Sequence, residues 1–233
     1  MNNSKVDISM PVIVGKEKNK TPIFNHMMTY IEVNPYWNIP PSIAYNEILA
    51  QILKNPFYLR EHRIRVFADW QAGASEIMPE SIDWPNIGEG IKQLHLRQEP
   101  GPGNSLGTIK FMFPNNKNVY LHDTTSRNLF KRTRRAFSHG CIRLSRPLDL
   151  ADYILSNDGH QEDSRSRLKA QIAGKERKIF VLKSPLPVHL MYRTVWVDRK
   201  TGTVSFYDDI YGRDAPLAKA FFSRQDTKCQ YPY

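Results

Sequence analysis

The chain has no apolar run approaching the roughly 20 residues a membrane-crossing helix needs, so no stable membrane insertion is expected. It has only two cysteines, Cys141 and Cys229. Two are too few for a disulfide framework, and they leave the redox compartment open. No internal repeat and no low-complexity linker is visible. The opening "MNNSKVDISMPVIVGKEK" lacks the apolar stretch of a secretory signal. On that reading the chain is either cytoplasmic or an excerpt of something longer.

What is present is ordinary for a folded protein. Of 233 residues, 40% are hydrophobic and 24% charged, and at this length folding removes roughly 70% or more of the unfolded surface. We read residues 1–233 as one domain, with an insertion of different texture at about 37–98 and a tail from about 215. The formal net charge of +10 draws the chain toward polyanions: nucleic acid, anionic lipid or an acidic wall polymer. The basic run "KRTRR" (131–135) is read as a solvated face, and no nucleic-acid partner is expected. The oligomeric state is not legible.

Local patterns predict many short strands and few helices. "ISMPVIVGK" reads as a strand ended by Gly15. In "NPYWNIPPSIAYNEILAQILKNP", Ser42 is a candidate cap, and Ile43, Ile48, Leu49, Ile52 and Leu53 fall at helical spacing until Asn55-Pro56. "RIRVF" (63–67) is a strand candidate, and residues 71–92 read as loop with a short helix. "TIKFMF" (108–113) and "NVYLH" (118–122) form a predicted hairpin around "PNNK". "PLDLADYILS" (147–156) is a helix with Leu148, Ala151, Ile154 and Leu155 on one face, and a polar helix is expected over 161–173. Strands follow at 178–183, 188–198 and 203–209, the last two joined by "RKTG". The fold class is mostly β with α, a β-sandwich or closed barrel, with the insertion as a helical lid.

The chemistry concentrates in "FSHGCIRLS" (137–145). Side chains alternate along a strand, so Tyr120 and His122 share one face of "VYLHD". An extended "SHGCIRL" would group His139, Cys141 and Arg143, with Ile142 and Leu144 turned to the core. A thiol becomes a nucleophile when a base takes its proton or positive charge stabilises the thiolate. Gly140 allows close backbone approach, and nearby N–H groups could hold an oxyanion. The plainer reading of each residue stands beside this one: a small buried thiol and structural histidines. Zinc on His122, His139 and Cys141 lacks a fourth ligand and paired spacing.

"SHGCIR" with "VYLHDT" upstream closely resembles the signature of L,D-transpeptidase catalytic domains of the YkuD type. "MPVIVGK…TPIF", "YIEVNPYWNIPPSIA", "LRQEPGPGNSLGTIKFMFPN", "RAFSHGCIRLSRPLDLADYIL", "PVHLMYRTVWVD" and "DIYGRD" extend it over about residues 10–214, toward the large Gram-negative, murein-crosslinking members. The resemblance implies a β-sandwich-like catalytic domain with a lid insertion. It implies Cys141 as nucleophile on the diaminopimelate–D-alanine bond of a tetrapeptide stem, with the acyl group passed to the amine of a second stem. His122 would be base and then acid, oriented by a backbone carbonyl rather than by the Asp123 carboxylate. His139, Gly140 and Cys141 would frame the oxyanion hole. Arg143, Tyr120, Ser138 and Trp37 would contact substrate, and the segment from Trp37 to Leu59 would cover the site. It further implies peptidoglycan stem peptides as partners, acylation by carbapenems, no metal or other cofactor, and a periplasmic or cell-envelope location. Competing readings are another thiol enzyme, sortase-like or papain-like, and a non-catalytic wall-binding remnant. Cys229 reads as a free tail thiol.

Overall fold

The computed structural model describes residues 6–71, 73–159, 163–198 and 201–223. Cys229, the first residues of the helix predicted over 161–173 and half of the "RKTG" turn lie outside them. Among the described residues the strands are β1 (Val12–Gly15), β2 (Phe24–Val33), β3 (Trp37–Asn38), β4 (Ile64–Phe67), β5 (Glu76–Ile77) and β6 (His95–Gln98). They continue with β7 (Ile109–Met112), β8 (Leu121–His122), β9 (Ala136–Ser138), β10 (Ile142–Leu144), β11 (Lys178–Leu190), β12 (Val195–Val197) and β13 (Val204–Phe206). The fold is mostly β with a few helices, as the sequence predicts.

A seven-stranded mixed sheet runs β11-β2-β7-β8-β10-β1-β9. Its register decides what each face carries. Ile31 pairs with Phe111, Phe111 with Leu121, and Leu121 with Ile142. One residue along, Glu32 pairs with Lys110, Lys110 with His122, and His122 with Arg143. Because alternate residues point to opposite faces, the first row is apolar and the second ionisable. Ile31, Phe111 and Ile142 enter a core with Ile154, Leu155 and Leu168. Those last three come from the helices Pro147–Asn157 and Ser164–Gly174. Pro147 opens the first helix, where its missing N–H costs nothing. The Asp163 carboxylate accepts from Ser166 N at the start of the second.

Residues 37–98 have a core of their own. A second sheet, β3-β6-β4-β5, packs Ile64, Val66 and Leu96 with Ile48 and Ile52. The insertion is therefore helix plus sheet rather than a purely helical element. Its helix is α-helical over Pro41–Ile43, π-helical over Ala44–Ile48 and α-helical again over Leu49–Lys54. The expected cap at Ser42 is corrected: the helix opens at Pro41, and no side chain caps it. Leu53 is 52% exposed, because it lies about 100° past Ile52, at the edge of the apolar stripe.

Two further readings are corrected. The segment 178–183 does not stop at its prolines: β11 continues through Pro185 and Pro187 with a register shift between Val181 and Leu186. It is an edge strand, where a missing N–H is tolerated and a bulge absorbs the mismatch. The segment 188–198 is accordingly not one strand but the end of β11 and a separate β12, which pairs with β13. No helix among the described residues is long and apolar enough to cross a membrane.

Candidate active site

The His122 and Arg143 end of the ionisable row faces a groove of about 360 Å³ that it shares with the insertion. Cys141, His122, His139, Arg143, Tyr120, Ser138 and Trp37 all line it. β8 and β10 are parallel neighbours, with Tyr120 O accepting from Ile142 N at 3.1 Å, so residues distant in sequence meet across one ladder step. The Tyr120 ring stands edge-on to His122, centroids 5.7 Å apart. From the insertion, Glu47 Oε1 reaches His139 Nε2 at 2.6 Å, inside the π-helical turn.

The strand expected through "SHGCIRL" is interrupted. β9 ends at Ser138 and β10 begins at Ile142, with a bend between them in which Gly140 has φ of 114°. That region is open to glycine and strained for other residues. A Cβ there would meet only Asn19 O, at 3.7 Å, so the backbone angle rather than space demands glycine. Ser138 Oγ closes the bend. It donates to Cys141 O at 2.5 Å and accepts from Gly140 N at 3.1 Å. Thr21 Oγ1 donates to Gly140 O at 2.9 Å. The Gly140 N–H is thereby occupied, while the Cys141 N–H has no hydrogen-bond partner among the described residues.

Cys141 Sγ donates to Asn118 O at 3.7 Å, and no hydrogen bond joins it to His122 in this resting geometry. Asn118 holds a left-handed backbone (φ 53°), which asparagine tolerates better than most residues. Burial pushes the Cys141 thiol up, against the opposing pull of the Tyr120 N–H and hydroxyl and of the Lys110 and Arg143 cations. His122 is 4% exposed, and burial, then the Arg143 cation, lowers its pKa to about 3. Its Nδ1 has no partner at hydrogen-bonding geometry. The backbone carbonyls of Asp123 and Leu106 favour the protonated ring, against the larger effect of burial. The Asp123 carboxylate turns the other way, accepting from Thr108 N and Oγ1 at 3.0 Å each and from Arg127 Nη1 at 2.8 Å. The resting pair is thus a neutral thiol and a neutral imidazole, beside cations that favour charge separation only on the sulfur.

Three contributors escape a reading of the sequence. Asn118 acts through its carbonyl, which leaves no trace in residue type. Glu47 sits on a helix with no chemical signature. Lys110 carried a faint signal, a lone charge inside the apolar strand "TIKFMF". No group of three or more His, Cys, Asp or Glu side chains able to hold a metal ion occurs among the described residues.

Residues 1–180 match the family model described as the L,D-transpeptidase catalytic domain. The Haemophilus influenzae protein named "Putative L,D-transpeptidase" is 34% identical over 206 residues, which cover 88% of this chain and 40% of that protein. The chain thus spans about two-fifths of the length of the curated relative it matches.

Proposed function

The chain belongs to the L,D-transpeptidase catalytic domain family, and from that premise we propose that it crosslinks peptidoglycan through a thioester on Cys141. The observation that carries this reading is the convergence of Cys141, His122, Tyr120 and Arg143 on one groove, with an unoccupied backbone N–H at the sulfur-bearing residue. In the first half-reaction the sulfur turns from Asn118 O, and His122, held neutral by burial, accepts its proton. The thiolate attacks the carbonyl of the diaminopimelate–D-alanine bond, and the Cys141 N–H holds the developing oxyanion. Collapse breaks the C–N bond, His122 returns the proton to the leaving amine, and free D-alanine departs from a thioester. In the second half, the side-chain amine of another diaminopimelate attacks that thioester. It loses a proton to His122 and expels the thiolate, which is reprotonated. The product is a diaminopimelate–diaminopimelate crosslink.

The other residues serve this cycle in distinct ways. Arg143, with a buried Nε that has no partner, supplies a guanidinium for a substrate carboxylate. Ser138 and Gly140 hold the bend that aims the nucleophile. His139, tied to Glu47, and Trp37 bring the 37–98 segment over the groove as a lid that excludes water and favours transfer over hydrolysis. The substrate places this chemistry in the cell envelope. A carbapenem, presenting a strained acyl group in the same groove, acylates Cys141. Intact-mass measurement after carbapenem exposure should show one covalent adduct, together with D-alanine release from tetrapeptide muropeptides. Cys141→Ala should abolish both, and an adduct that survives the substitution would overturn the assignment.

A further inference from the structure

Lys110, like Glu32 beside it, is a member of the ionisable row with no role in that cycle. It lies between Glu32 on β2 and His122 on β8, half-buried on the ionisable face of the sheet. Its counter-charge is engaged elsewhere: Arg177 Nε donates to Glu32 Oε1 at 2.5 Å. Among the described residues the Lys110 ammonium makes no close ion pair and no side-chain hydrogen bond, although the Glu32 carboxylate still attracts it at longer range. Its ammonium instead sits 4.2 Å from the centroid of the Tyr120 ring. The hydroxyl of that same ring is near enough to Cys141 to favour the thiolate. A half-buried lysine that shares its carboxylate partner with Arg177 gains when further negative charge arises nearby.

We propose that Lys110 is a positioning residue that stabilises the Cys141 thiolate through Tyr120. This rests on the reading of Cys141 as the nucleophile and adds the source of the charge that makes it one. Two cations act on the sulfur, Arg143 from the groove wall and Lys110 from against the Tyr120 ring. Lys110 acts on the sulfur more strongly than Arg143 does, whereas for His122 the order is reversed. Lys110 therefore favours loss of the thiol proton while opposing its capture by the imidazole less than Arg143 does. The other ionisable groups around the sulfur are Lys117 and Tyr120 from the segment leading into β8, His122 from β8 and Arg143 from β10. The His139–Glu47 pair reaches across from the insertion.

The test is the pH profile of Cys141 alkylation by iodoacetamide in the folded protein, read on the Cys141 peptide so that Cys229 does not contribute. Lys110→Met should raise the midpoint by about one pH unit and slow alkylation at neutral pH about tenfold. Lys110→Arg should restore most of both. Lys110→Gln carries the same expectation if the Met variant does not fold, as judged by circular dichroism. An unmoved midpoint in a folded neutral variant overturns the proposal. So does an equal shift in the Arg variant, which would mark packing rather than charge as the cause. The assay needs no peptidoglycan, so a wild-type protein that releases no D-alanine would sink the transpeptidase reading while leaving this one to be judged separately.

Discussion

The two faces of the large sheet are built from the same strands, one residue out of step, and they follow opposite rules. On one face Ile31, Phe111 and Ile142 are buried in an apolar cluster with helix side chains. On the other, Glu32, Lys110, His122 and Arg143 stand in register, and two of the four hold buried nitrogens without a partner, His122 Nδ1 and Arg143 Nε. Buried polar atoms are normally paired. Leaving them unpaired lowers stability, and in the function proposed above it keeps them free for a substrate. The apolar face holds the strands in place, and the ionisable face uses that rigidity to carry groups that would prefer water.

The comparison can be broken by exchanging what each face loses. His122→Ala should slow acylation of Cys141 by about 10²–10⁴-fold, the range typical for a positioned base, while leaving the unfolding midpoint close to that of the wild type. Stopped-flow measurement of carbapenem acylation beside a urea melt would show it. A large loss of stability in that variant would mean the two faces do not divide their roles. Phe111→Ala, one step along the neighbouring strand, should do the reverse and cost about 3–5 kcal/mol of unfolding free energy through the cavity it leaves.

A finer test uses pH. The His122 pKa falls from 6.5 in its ordinary state to about 3 in the folded protein. Between those values the unfolded chain binds a proton that the folded chain refuses, so this residue's share of stability is intact above pH 6.5 and is lost as pH falls toward 3. The slope is at most about 1.4 kcal/mol per pH unit. Urea melts across that window should be steeper in pH for the wild type than for His122→Gln. Parallel curves would show that the imidazole is not held neutral by burial.

Much of this was legible in the chain. The alternation in "VYLHD" places Tyr120 with His122, the two strands flanking "PNNK" do pair, and the helix at 147 buries three of the four side chains its spacing selects. Other features left weaker traces or none. "SHGCIRL" reads as continuous strand because φ at Gly140 is not written in residue type. The prolines of β11 read as a break because nothing local says that the strand lies at an edge. The sheet inside residues 37–98 joins Trp37 to Gln98 and Phe67 to His95, pairs too far apart in the chain for any local pattern to connect.

By itself the sequence determined the elements with strong periodicity and the chemical identity of the groove, because side-chain alternation and reactive residue types are local properties. Tertiary structure alone decided that Glu32 and Lys110 stand in line with His122, that Glu47 meets His139, and that the sulfur rests against Asn118 O. Each depends on which strands become neighbours and in what register, and that is settled by burial of the apolar face as a whole rather than by the residues that gain from it.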